Sequence, residues 1–317
     1  MKKLRAGVIG VGYLGRFHAE KYANMENADL IGVVDLDKPR ADKIAAEFNT
    51  LAFSNHKDLI NKIDAASIVV STPAHYAVAK DCLENGIDVM IEKPITQSIE
   101  DADKLIALAK EKGLIIQVGH LERFNPAVVA LRGIITKPMF IESHRLSFYK
   151  ERGIDVSVVL DLMIHDIDLI SNFVRSDIKS IHASGVPVIA DHVDIANARL
   201  EFNNGCVANI TASRISIKNE RKIRLFQKDA YISVDFSNYK ITIIRKTGSD
   251  KKGLIPGMEI ENISFQQGDA LNDELLSFVK AVQSRSLPEV TGEMGRDALK
   301  IALTTMKQIK NANSRLL

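Results

Sequence analysis

Three glycines in Gly10-Val11-Gly12-Tyr13-Leu14-Gly15 restrict this chain more than any other feature. They stand directly behind an apolar run, Leu4 to Ile9, and directly ahead of a helical pattern that begins near residue 14. A strand that turns sharply into a helix needs glycine in the turn, here Gly10, and glycine again where helix and strand pack closely, here Gly15. Gly12 then lets backbone approach a pyrophosphate at the helix N-terminus, with Tyr13 and Leu14 in the same turn. Asp35 ends the second apolar run, 20 residues after Gly15. A carboxylate there accepts from an adenosine ribose 2′-hydroxyl and repels a 2′-phosphate, so the pattern implies NAD in preference to NADP, while Arg40 is the feature that would suit NADP. The competing reading is a glycine-rich turn without a ligand.

The first 120 residues repeat this strand-then-helix grammar. Leu4–Ile9, Leu30–Val34, Ala66–Val70, Val89–Ile91 and Leu114–Val118 are rich in Val and Ile and do not alternate with polar residues, as strands buried on both faces should not. Amphipathic helices are expected near 14–26, 39–48, 75–85 and 99–112, which makes a doubly wound parallel sheet. After Gly119 the pattern changes. Strands are expected at 139–149, 178–189, 193–202, 206–215, 231–236 and 239–245, with Asn203-Asn204-Gly205 and Ser237-Asn238 as turns. Helices are expected near 157–174, 270–284 and 293–312. The basic run Lys218 to Arg224 reads as a solvated strand edge or loop. The expected organisation is therefore an α/β Rossmann domain over 1–120 and, over 121–317, an α+β domain with an open, mostly antiparallel sheet, the last helix free to pack back on the first domain.

A chain of 317 residues with 46% hydrophobic and 26% charged residues is long enough for two such cores, and fits neither disorder nor a coiled-coil rod. No apolar stretch approaches the ~18 residues of a spanning helix, so no membrane association is expected. Cys82 and Cys206 lie far apart without a CxxC partner, which indicates neither a disulfide framework nor a cysteine metal site and suits a reducing cytoplasm. The net charge of +2 divides into −2 over residues 1–120, from 15 basic and 17 acidic groups, and +4 over the rest, from 27 and 23. That tilt suits an anionic small substrate and is too weak for a nucleic-acid surface.

Two further segments carry chemistry. Ser71-Thr72-Pro73 and Glu92-Lys93-Pro94 follow the third and fourth strands, on the edge where parallel sheets bind ligands. Lys93, constrained between a buried strand and a proline, has an ammonium that can be aimed into a cleft; the alternative is a surface lysine. His75 reads as a capping or packing residue. In Asp161-Leu162-Met163-Ile164-His165-Asp166-Ile167-Asp168, Asp161 and His165 are four apart and share a helical face, with Asp168 near them. An imidazole there can take the proton of an alcohol as hydride leaves its carbon. A hydrogen-bonded core histidine and a metal ligand are the alternatives, and no metal is expected, since hydride transfer to nicotinamide needs no Lewis acid. Arg123, Asn125, Arg145, Tyr149 and Arg152 are candidate substrate contacts, the arginines because a diphosphate or uronate needs bidentate donors; surface ion pairs are the alternative for Arg145 and Arg152.

Taken in order, the Gly10–Gly15 loop, Asp35, Thr72-Pro73, Glu92-Lys93-Pro94, Gln117-Val118-Gly119, Arg123-Phe124-Asn125-Pro126, the Asp161/His165 pair and Val290-Thr291-Gly292-Glu293 resemble the Gfo/Idh/MocA family of NAD(P)-dependent sugar and polyol oxidoreductases. The resemblance implies a homodimer or homotetramer formed through the open sheet, and Lys93, often held by a cis-proline bond, working with Asp161 and His165 at the substrate between the two domains. Within the family the chain most resembles the group that oxidises C3 of UDP-linked N-acetylglucosamine, a sugar nucleotide, by hydride transfer to NAD. Where many members carry a Gly-Gly pair before the catalytic Asp and a Gly two after it, this chain has Val159-Leu160 and Met163, which implies a narrowed or reshaped pocket. Another sugar, uronate or polyol dehydrogenase of the family, or a non-catalytic NAD-binding regulator, are the alternatives; Lys93, Asp161 and His165 together favour an enzyme.

Overall fold

The computed structural model describes residues 3–149, 156–246 and 257–314. In chain order the first elements are β1 (Leu4–Ile9), α1 (Tyr13–Asn24), β2 (Ala28–Val34), α2 (Lys38–Glu47), β3 (Leu51–Phe53), β4 (Ala65–Ile68), α3 (Thr72–Glu84), β5 (Asp88–Glu92), α4 (Ile99–Lys112) and β6 (Ile116–Gly119). Then come α5 (Pro126–Ala130), β7 (Phe140–Leu146), α6 (Ile164–Val174), β8 (Ile178–Val186), β9 (Ile195–Phe202) and β10 (Val207–Ser213). The last are β11 (Glu220–Gln227), β12 (Ala230–Asp235), β13 (Lys240–Lys246), β14 (Met258–Ser264), α7 (Ala270–Ser284) and α8 (Gly292–Asn313). They form two compact units: residues up to Phe124 with Asp269–Leu299, and Asn125–Gly268 with the chain from Lys300 onward.

The first unit is a parallel sheet in the order β3-β2-β1-β4-β5-β6. Its strands are apolar throughout because helices cover both faces; every residue of β4 is buried. Local signals set the helix limits, as in α4, where the Ser98 hydroxyl accepts from the Asp101 N–H and Gly113 ends the helix at φ +64°. β3, three residues long, has no counterpart in the expected strands.

The expected division at residue 120 differs from the structure in one respect, since 269–299 returns to the first unit. α7 carries Leu275, Phe278, Val279 and Val282 at helical spacing, and these join Val8, Tyr22 and Val33 in one core. The buried Gln117 amide also donates to the Glu274 carbonyl, and the Val118 N–H to that of Val290. A stripe of apolar residues shows that a helix is covered, not by which sheet.

The second unit is built on an eight-stranded sheet in the order β14-β13-β12-β11-β7-β10-β9-β8. All neighbours are antiparallel except β7 and β10, which run parallel. Alternate residues, among them Ala196, Ala198, Leu200 and Phe202 of β9, are buried on one face, and α6 packs against β7 and β10. The basic run is corrected here: residues 220–227 form β11, paired on both sides, with Ile223 and Leu225 inward. Its outward Arg224 pairs with Glu142 at 2.6 Å. The cations had masked a period-two strand. The helix expected at 157–174 begins instead with a π-helical turn, Val159–Met163, in which the Ile164 N–H reaches back to the Val159 carbonyl.

Among the described residues, no helix is long and apolar enough to cross a membrane, and both cysteines are buried free thiols.

One buried carboxylate organises the loop between β8 and β9. Asp194, 0% exposed, accepts through Oδ2 from the N–H groups of Val188, Ile189 and Ala190 at 2.8, 2.7 and 3.1 Å, and Arg214 lies 3.7 Å from Oδ1. Burial pushes its pKa upward, but those three N–H groups and the Arg214 charge outweigh it and hold the carboxyl below its ordinary value. A carboxylate whose folded pKa is depressed stabilises the fold fully above the unfolded value of ~3.9, and loses that contribution as pH falls through the folded value. Asp194→Ala, which orphans three donors and a buried cation, should lower the unfolding free energy at neutral pH by ~3–5 kcal/mol, read from the urea midpoint. The deficit relative to the parent should shrink as pH falls below ~4.

Candidate active site

The carboxyl edge of the parallel sheet collects the expected cofactor residues. Gly10 has φ +90°, and a Cβ there would lie 2.7 Å from the Val69 carbonyl oxygen; a Cβ on Gly15 would fall 1.8 Å from the Gly10 oxygen. Both glycines are therefore demanded by the fold. Gly12 differs, because a Cβ there would meet nothing within 4 Å. It stands at the N-cap of α1, and no capping side chain stands in front of the first helical turn. This is a cradle of the kind a pyrophosphate fills.

Asp35 follows β2, and its carboxylate accepts from the N–H groups of Val11 and Asp37, each at 3.0 Å. Arg40 reaches both of its oxygens at 3.3 Å and Asp37 at 2.9 Å. The acid thus ties the glycine loop down. Beside it Leu36 is 94% exposed, an apolar side chain that the sequence reading did not single out.

After β4, Ser71 caps α3 without a side-chain bond, and Thr72 and Pro73 form its first turn. His75 is buried, with Nδ1 2.9 Å from the Pro94 carbonyl and Nε2 3.0 Å from that of Val70, so it ties this loop to the turn after β5. Burial lowers its pKa against the pull of those carbonyls. The turn itself is Glu92-Lys93-Pro94, with a cis Lys93–Pro94 bond. Glu92 ends β5, its carboxylate receives the Lys93 N–H at 3.2 Å, and His18 of α1 lies 3.3 Å away. Burial would raise this carboxyl, but the His18 contact, the Lys93 charge and the Lys93 N–H overcome it and keep it below the usual carboxylate range. Arg123 is 3% exposed in a 3-10 turn after β6.

In the second unit Asp161 lies in the π-helical turn and His165 one residue into α6, both half-buried. Val159 and Met163, which stand where glycines are usual, are 0% exposed and packed inside. Asp166 and Asp168 are buried. Arg145, expected at the substrate, instead sits 5% exposed with its Nε and Nη2 on Asp166 at 3.0 and 2.7 Å. Two of its donors thus anchor the helix that carries His165. Asn125 caps α5, accepting from the Ala127 N–H at 3.0 Å. Tyr149 is 41% exposed, and Arg152 lies outside the described residues. Among the described residues, no three His, Cys, Asp or Glu side chains converge as metal ligands.

The comparisons with known proteins agree with this geometry. The model of the Gfo/Idh/MocA oxidoreductase family, NAD-binding Rossmann fold, matches residues 4–120, and that of the Gfo/Idh/MocA C-terminal domain matches 127–233. The chain is 40% identical over 304 residues to the UDP-N-acetylglucosamine 3-dehydrogenase of Acidithiobacillus ferrooxidans, covering 96% of each chain. It superposes on a solved structure of that enzyme with a TM-score of 0.93, covering 98% of this chain and 99% of the other at 38% identity. It is 26% identical to the scyllo-inositol 2-dehydrogenase (NAD(+)) of Bacillus subtilis over 98% of this chain and 95% of that enzyme. The chain therefore belongs to the Gfo/Idh/MocA oxidoreductase family, and NAD is its cofactor.

Proposed function

We propose that this enzyme oxidises C3 of UDP-N-acetylglucosamine. The observation that carries the reading is the 40% identity, end to end, with a UDP-N-acetylglucosamine 3-dehydrogenase, against 26% with the inositol dehydrogenase. The glycine cradle, Asp35, Ser71, Thr72, Pro73 and Glu92 hold NAD, which when bound supplies the hydride acceptor. His165 takes the proton of the sugar hydroxyl on its imidazole, and Asp161 orients that ring or the sugar. The Lys93 ammonium lowers the hydroxyl pKa and stabilises the negative charge that grows on the oxygen. Arg123, Tyr149 and Arg152 remain candidates for the nucleotide part, while Arg145 acts from beneath, through Asp166. The enzyme works in the cytoplasm, which suits two buried thiols pushed up by burial, Cys82 to about 12 and Cys206 to about 11. It assembles as a homodimer or homotetramer through the outer face of the eight-stranded sheet. Phe140, Phe226 and Tyr231 form an aromatic strip on that face, with ring centroids 5.7 and 5.1 Å apart.

Purified protein given NAD and UDP-N-acetylglucosamine should generate NADH absorbance, if need be with an aminotransferase that removes the ketone; absence of signal with the aminotransferase present would remove the substrate assignment. Because Gly12 has no left-handed φ and open space around it, Gly12→Ala should melt with the parent in the absence of cofactor. Its NAD dissociation constant, by calorimetry, should rise at least ~10-fold, since the added methyl occupies the pyrophosphate seat. Asp35→Ser removes the acid and releases Arg40 Nη1, leaving Nη2 on Asp37. The ratio of kcat/KM for NADP to that for NAD should rise by ~10²-fold or more.

A further inference from the structure

His18 is a polar side chain in a place built for an apolar one. It lies on α1 between Gly15 and the core residues Ala19 and Tyr22, and is 1% exposed. An imidazole in such a place is costly unless something there uses it. Its Nε2 lies 3.3 Å from Oε1 of Glu92. The other carboxylate oxygen, Oε2, receives the Lys93 N–H at 3.2 Å. From the far side the space is kept open by Gly119, which stands opposite Glu92 in the β5–β6 register. A Cβ on Gly119 would come within 3.0 Å of the carboxylate carbon and of Oε1. The carboxylate is thus seated between a helix and a neighbouring strand: Oε2 accepts from the Lys93 N–H, and Oε1 faces the imidazole at 3.3 Å, out of line for a hydrogen bond.

We infer that His18 is a positioning residue for the reaction: through the Glu92 carboxylate it fixes the backbone from which Lys93 projects. One helix then carries the dinucleotide cradle at its N-terminus and, on the second turn, the brace of the reactive lysine. The inference rests on the reading of Lys93 as the group that meets the sugar hydroxyl. A misplacement of about 1 Å at such a group costs ~10²-fold in rate.

The test uses His18→Leu, which keeps bulk and removes the ring nitrogens, His18→Gln, which restores an N–H donor, and Gly119→Ala, which crowds the carboxylate from the other side. His18→Leu and Gly119→Ala should each lower kcat for UDP-N-acetylglucosamine oxidation by ~10²-fold. The calorimetric Kd for NAD, held mainly by the Gly12 cradle and Asp35, should rise by far less than kcat falls, and His18→Gln should recover most of the rate. Crystal structures of the cofactor-free variants should show the Glu92 carboxylate displaced from the Lys93 N–H. In a Lys93→Met background, His18→Leu should cause no further loss, because its effect runs through Lys93. An unmoved Glu92 and Lys93 in both variants, an unchanged kcat, or an additive loss in the Lys93→Met background would overturn the inference. Should Lys93→Met itself keep the parent's activity, the reading of Lys93 fails, whereas the crystal structures still decide whether His18 holds the turn. If His18→Leu does not fold, Gly119→Ala carries the same comparison.

Discussion

The approach of Gly15 to the Gly10 carbonyl, so close that a Cβ would fall 1.8 Å from it, sets the position of α1 on the sheet. A helix pressed that tightly onto the end of β1 has little freedom to slide or roll, because contact is backbone to backbone. Its inward residues then land in fixed places. Tyr22 reaches Ser67 of β4 at 3.0 Å, and His18 reaches Glu92 of β5 at 3.3 Å, so α1 leans over the strands in the order the sheet lays them down. The cradle at Gly12, the half-buried carboxylate of Glu92 and the turn at Lys93 all follow from that one contact.

The second unit fixes its reactive helix by a different means. Its sheet face is apolar, yet Arg145 stands on it and closes on Asp166 at 2.7 Å. A buried ion pair contributes little net stability over a well-packed apolar pair, but it fails badly when one partner is absent or turned away. It therefore selects one rotation of α6, and Asp166 is adjacent to His165 in the chain. The π-helical turn ahead of α6 contributes to the same end, since the wider turn alters the offset of Asp161 from His165 relative to a regular helix. Asp194 and Arg214, likewise buried, anchor the loop between β8 and β9 and the Val156 carbonyl a few residues before that turn.

What the sequence revealed and what it hid divide along physical lines. The parallel strands were legible because burial on both faces writes itself as unbroken Val and Ile, and the glycine loop because each glycine answers a separate demand. β14 was not, since its residues are mostly exposed on both faces and carry no periodicity. β11 was hidden by its outward cations. The address of α7 is a matter of tertiary contact, which no local pattern records. In the candidate site, Lys93 and the glycines stand out in the sequence because strand ends and turns constrain them. The Arg145–Asp166 pair was not legible, because a guanidinium aimed at a diphosphate and one aimed at Asp166 look alike in sequence. His18 was passed over for the converse reason, as a histidine inside an amphipathic helix gives no sign of what lies across from it until Glu92 and Gly119 are seen to be paired.

Asp35 shows how far fold and cofactor choice are joined. Its carboxylate holds the Val11 N–H, inside the glycine loop, and half of Arg40; Asp37 holds the rest of that guanidinium. Two acids against one base leave the rim of the ribose site negative, which disfavours a 2′-phosphate even though a guanidinium is at hand. Removing Asp35 leaves Asp37 balanced against Arg40, so the rim is no longer negative, and at the same time deprives the loop of an acceptor for a backbone donor. A change of dinucleotide at this site is therefore a change in loop geometry as well as in charge, and a full exchange of preference requires a new partner for the Val11 N–H along with the liberated arginine.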